Sequence, residues 1–67
     1  MTPGKVKTFD AAKGFGFLSL ENGPDCFIHF SEINSPGFRT LEEGDRVEFD
    51  PVNTATGWRA RNVWKMD

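Results

Sequence analysis

The 67-residue chain contains one cysteine, Cys26, so no disulfide can form within it. It has one histidine, His29, and therefore no Cys/His cluster able to hold zinc. The fold has neither a covalent nor a metal staple. A chain this short buries only roughly 60% of the surface its unfolded form exposes, so modest stability is expected. No apolar run approaches the ~18 residues of a membrane span. The opening residues MTPGKVKTFD lack the apolar stretch of a signal peptide. With the cysteine usage, which fits a reducing compartment, these absences read as a soluble cytoplasmic protein. Internal repeats, linkers and low-complexity segments are also missing, which leaves one domain over residues 1–67.

Two further absences narrow the class. No segment repeats apolar residues at i, i+3, i+4 and i+7 over about 11 positions, so no amphipathic helix is expected. No nucleophile–base pair, metal set or cofactor motif is visible, and the lone GFG lacks the GK[ST] ending of a phosphate loop. An enzyme is not expected, and neither is a cofactor.

What is present is alternation punctuated by glycine and proline. Strands are expected over 4–9, 14–20, 25–30, 46–52 and 58–66. A long connection over 31–45 carries one helical turn near Ser31–Ile33. Pro51 should end the fourth strand or mark an edge. Five short strands without a helix argue for an all-β barrel or sandwich, and a closed barrel removes the edges that nothing else could cover.

The stretch KGFGFLSL, residues 13–20, is unusual because both faces of a strand would carry large apolar groups. DCFIHF repeats the pattern. Paired as a hairpin, these strands place Leu18, Leu20, Cys26 and Ile28 on one face and Phe15, Phe17, Phe27 and His29 on the other. The aliphatic face suits a core completed by Val6, Ile33, Leu41, Val47, Phe49 and Val63. A single strand phenylalanine is more often core than ligand-binding. Four rings opposite a complete aliphatic face reverse that reading, and they are expected to be exposed. Glycines between the rings would let a flat ligand approach the backbone. Exposed rings beside Lys7 and Lys13 suit single-stranded nucleic acid, in which bases stack and lysines meet phosphates.

The formal net charge of −2 argues weakly against that partner, but its distribution matters more. Residues 1–20 carry Lys5, Lys7 and Lys13 against Asp10, and residues 51–67 carry Arg59, Arg61 and Lys65 against Asp67. The acids concentrate between them, so two basic ends meeting on one face would build a local basic patch.

Lys13-Gly14-Phe15-Gly16-Phe17 and Phe27-Ile28-His29-Phe30 resemble the two ribonucleoprotein motifs of the cold-shock domain family. Gly4-Lys5-Val6-Lys7, the segment from Gly37 to Gly44, and Ala60-Arg61-Asn62-Val63 extend the resemblance over essentially the whole chain. RNA-recognition-motif domains share a KGFGF-like motif, but they need two helices and a longer chain. The resemblance implies a five-stranded antiparallel Greek-key barrel of the oligonucleotide-binding type, and a monomeric chain that binds single-stranded RNA and DNA as an RNA chaperone. By match, it implies stacking roles for Phe15, Phe17, Phe27, His29, Phe30 and Phe38, with Phe9 at the edge, and backbone contacts from Lys7 and Lys13. Thr8 departs from the family, which has tryptophan there. Trp58 and Arg59 add a ring and a cation where the family's chain borders the binding face. Two placements are open for Trp58: taking over part of the lost stacking, or packing on the surface loop. The competing function is a β-barrel interaction module that holds a peptide on the aromatic face.

Overall fold

The computed structural model describes residues 1–34 and 40–66. Strand β1 spans Thr2–Asp10, β2 Phe15–Leu20 and β3 Cys26–His29; a single 3-10 turn follows at Phe30–Glu32, then β4 at Arg46–Thr54 and β5 at Gly57–Lys65. The strands close into a barrel in the order β1-β2-β3-β5-β4. All pairings are antiparallel except the seam between β3 and β5, which is parallel and joins through Phe27 opposite Arg59. A second parallel bridge, Ile33 to Val63, extends that seam beyond the strands.

The barrel interior takes the aliphatic face of the β2–β3 hairpin. Leu18, Cys26 and Ile28 are fully buried, with Val6, Ile33, Leu41, Val47, Phe49 and Val63 around them. Ala60, turned inward on β5, joins this core. Leu20, at the end of β2 beside the Glu21–Gly23 turn, only half enters and packs against the core from its rim. Burial, and then the neighbouring Asp25 carboxylate, push the Cys26 thiol up from its ordinary value. At neutral pH it stays protonated and enclosed, so a thiol reagent should label it only as fast as the barrel opens. Labelling of the native protein as rapid as that of the urea-unfolded chain would contradict this.

Pro51 lies inside β4, opposite Ala60, and neither ends the strand nor interrupts the barrel. Strand β1 pairs β4 only from Arg46 to Phe49, so Pro51 has no β1 neighbour requiring an amide donor.

Local irregularities set the geometry that matters for the outer face. In β1 the register jumps between Val6 and Thr8, leaving Lys7 as a bulge. A bulge inserts one residue and reverses the alternation beyond it. Val6 therefore points inward, while Thr8 pairs with outward Phe17 and Phe9 pairs with buried Gly16. Gly16 is needed at this crossing because a Cβ there would collide with the Thr8 carbonyl oxygen and with the Phe9 Cα. Its role is close packing of two backbones, not the open surface expected from its place between rings. Gly16→Ala should destabilise the barrel by ~1–3 kcal/mol, the range for overpacking, measured by urea unfolding.

Candidate nucleic-acid interface

The β1–β2 turn is built by Asp10. Its Oδ1 accepts hydrogen bonds from the backbone N–H groups of Ala12 at 3.0 Å and Lys13 at 3.1 Å, and its carbonyl accepts one from Gly14 at 2.7 Å. Aspartate bonding to the chain a few residues ahead is a common way to hold a tight turn. Gly14 completes it with a φ of 80°, a conformation glycine adopts without steric cost. It also lies directly beneath the Phe30 ring: a Cβ there would sit 2.7 Å from that ring. The Phe30 amide in turn donates to the Gly14 carbonyl at 2.8 Å. Phe30 is thus outside β3, at the start of the 3-10 turn, and is held over the glycine of the neighbouring hairpin.

Two rows of side chains cross the outer surface. Register places Asp10 beside Phe15 and Phe15 beside His29. The second row runs across all five strands, from Thr8 through Phe17, Phe27 and Arg59 to Val52. Phe15 and Phe27 stack with centroids 5.8 Å apart, and Phe17 meets Phe27 edge-on at the same separation. His29 and Phe30 form a second cluster with centroids 4.6 Å apart. The Phe15, Phe17 and Phe30 rings are 38%, 42% and 40% exposed, although a large ring of this kind is ordinarily buried. Phe27 and His29 are half-buried by their neighbours. The His29 Nδ1 accepts from the Ser31 amide at 3.3 Å and pairs with the Ser31 hydroxyl at 2.9 Å, which fixes the ring's orientation and turns Nε2 away from the bond.

Phe9 does not share this surface. The Lys7 bulge turns it toward Gly16, and it packs half-buried against the core. Phe38 lies outside the described residues. Trp58 is exposed on β5 opposite Asn53, and it lines a shallow depression with Phe17, Phe27, Thr56 and Arg59. Trp64, which the sequence did not place, is exposed on the same strand but sits opposite Glu48, toward the far end of β5.

Cations from the two ends of the chain flank the rings from opposite sides. Barrel order separates β1 from β5 by the β2–β3 pair on this side. Lys7 therefore approaches from the β1 side and Arg59 from the β5 side. Lys7 is engaged with Asp25 at 2.7 Å, Arg61 faces Glu32 at 3.8 Å and Lys65 faces Asp45 at 3.3 Å. Among the described residues, Lys5, Lys13, Arg46 and Arg59 have no carboxylate at such a distance. Lys13 and Arg59 border the aromatic rows, while Lys5 and Arg46 pair with each other across β1 and β4. Sequence reasoning could not assign Asp25 to the surface of the site, because it lies 18 residues from Lys7 in sequence. No group of three or more potential metal ligands occurs among the described residues. Among the described residues no helix is long and apolar enough to cross a membrane.

The arrangement offers stacked, half-solvated rings between cations, and known proteins carry a similar chain. The "cold-shock" DNA-binding domain model matches residues 2–66. The cold shock-like protein CspC of Bacillus cereus is 54% identical over 63 residues, covering 94% of this chain and 97% of the relative. The major cold shock protein of Streptococcus pyogenes serotype M1 is 53% identical over 66 residues, covering 98% of both. The solved structure of drosophila Unr CSD456 superposes with a TM-score of 0.80 at 24% identity, covering 98% of this chain but only 26% of that one, and so shares its fold. Sequence match and barrel together show that the chain belongs to the cold-shock domain family of DNA-binding domains.

Proposed function

We propose that the chain binds single-stranded RNA and DNA by stacking bases on Phe15, Phe17 and Phe27, with His29, Phe30 and Phe38 in further stacking roles. Lys7 and Lys13 meet the phosphates, and the protein acts on RNA as a chaperone. The observation that carries this reading is the pair of ring-bearing rows left exposed opposite a complete core. Nothing else in a barrel of this size requires them there, and single-strand binders use such rings because every base has a face to stack. Binding the open strand and not the hairpin shifts RNA toward the open form by mass action, without chemistry. Such an activity needs neither cofactor nor metal.

The test is a titration of an unstructured oligonucleotide at several salt concentrations. Each phosphate neutralised on a single strand contributes a slope of about −0.7 in log K against log salt. A clearly negative slope is expected despite the net charge of −2. Lys13→Gln should flatten it by part of one such increment, and an unchanged slope would take Lys13 out of the contact. A peptide-holding barrel would bind a neutral ligand with almost no salt dependence.

Asp25 gives a second, opposite handle. Its carboxylate holds Lys7 at 2.7 Å on a surface where both side chains are substantially exposed. Exposed pairs of this kind contribute little to stability, at most about 1 kcal/mol. Asp25→Asn should leave unfolding nearly unchanged, strengthen oligonucleotide binding and steepen the salt slope, because Lys7 is then free for phosphate. Weaker binding in this variant would mean that Asp25 itself touches the ligand or that the pair orders Lys7 productively.

A further inference from the structure

The depression at the β5 end of the long row has a chemistry the rest of the face lacks. Its walls are the rings of Phe17, Phe27 and Trp58, with Thr56 at the hairpin and Arg59 over Phe27. The Arg59 guanidinium carbon lies 5.2 Å from the Phe27 centroid, so the cation rests on a ring face. A guanidinium held over a ring face by cation–π attraction keeps its N–H groups available to a ligand. No described residue accepts a hydrogen bond from that edge or lies near it as a carboxylate. The depression therefore combines flat apolar walls with a fork of N–H donors that no described residue satisfies. Thr56 cannot readily compete for the fork, because its hydroxyl and amide are turned to Thr54 within the hairpin.

We infer that this depression is a nucleotide subsite selective for guanine, recognised by Arg59 while the base stacks on Trp58. Guanine presents two acceptors, O6 and N7, side by side on one edge, and they match an arginine fork. On the same edge adenine replaces one acceptor with a donor, and thymine offers a single oxygen. The larger face of a purine also covers more of the indole. The inference rests on the single-strand reading above and adds base selectivity at one position of it.

The experiment uses an eight-nucleotide oligothymidine and its variants carrying one dG, dA or dC at each successive position. Affinities are measured at one salt concentration for the native protein and for Arg59→Lys, which keeps the charge but loses the fork. Each affinity is normalised to that protein's own value for the oligothymidine. At one position dG should bind about tenfold tighter than dA or dC, as expected for a good bidentate contact. In Arg59→Lys the dG advantage at that position should disappear. Equal affinity for all four bases at every position would overturn the guanine subsite and leave single-strand binding standing. A preference for dC, or a dG preference that survives Arg59→Lys, would equally overturn it. Failure to bind any of these oligonucleotides would overturn both readings.

Discussion

Phe27→Ala should cost about 1–3 kcal/mol of oligonucleotide affinity and leave the barrel folded, whereas Ile28→Ala should cost ~2–5 kcal/mol of stability. The two residues are adjacent on a strand only four residues long, so the contrast is a matter of facing alone. Ile28 is fully buried at the centre of the core, opposite Gly16. Its truncation leaves a cavity in a core of few residues that cannot easily collapse. Phe27 touches Phe15, Phe17 and Arg59 on the outside, and nothing in the core depends on it. It is the hub of the outer row, so its loss removes a stacking surface and the seat of Arg59 together. Urea unfolding gives the first quantity and titration of the folded variant gives the second. If Phe27→Ala unfolds the protein while each folded molecule binds normally, the assignment of faces is reversed.

That contrast shows what alternation in a sequence can reveal. Period-two spacing assigns side chains to faces within one strand, and an aliphatic set opposite an aromatic set then separates core from surface. The core residues Leu18, Cys26, Ile28, Val47 and Phe49 were legible for this reason, as was the outward facing of Phe15 and Phe17. Spacing says nothing about which strands adjoin, so the parallel β3–β5 seam and the placement of Arg59 over Phe27 were not legible. It also fails wherever a strand bulges. Lys7 adds one residue to β1, and every facing beyond it inverts. Phe9 was expected at the edge of the ring surface and instead packs on the core, while Thr8 takes the outward position beside Phe17. Lys7 also meets Asp25, a pairing between residues 18 apart in sequence with no local signal. Gly16 shows a different limit. Its neighbours in sequence are both rings, but the group that demands glycine is the backbone of another strand.

Thr8→Trp should strengthen oligonucleotide binding by a full stacking increment, about 1–3 kcal/mol, and the gain should be the same with or without Trp58. Of the two placements open for Trp58, taking over part of the lost stacking would make the gain smaller, because part of the base that a ring at position 8 would hold would already be covered. Register separates the two positions. Thr8 lies at the β1 end of the long row, beside Phe17, and Arg59, next to Trp58, lies on β5 at the other side of Phe27. Three strand steps around the barrel wall separate them, so a ring at position 8 would border Phe17 from the β1 side while Trp58 borders Phe17 and Phe27 from the β5 side. Trp58 therefore extends the surface at its opposite end and does not refill the position at Thr8. Thr8 is exposed and paired to an exposed ring, so an indole there needs no rearrangement of the core. A double-mutant cycle over Thr8→Trp and Trp58→Ala decides the point. Trp58→Ala alone should cost on the order of 1 kcal/mol, within the range for one stacked base. Independent sites give effects that add within about 0.3–0.5 kcal/mol. A Thr8→Trp gain that is small in the native background and large in Trp58→Ala would show both rings competing for one base, and would overturn the two-ended arrangement.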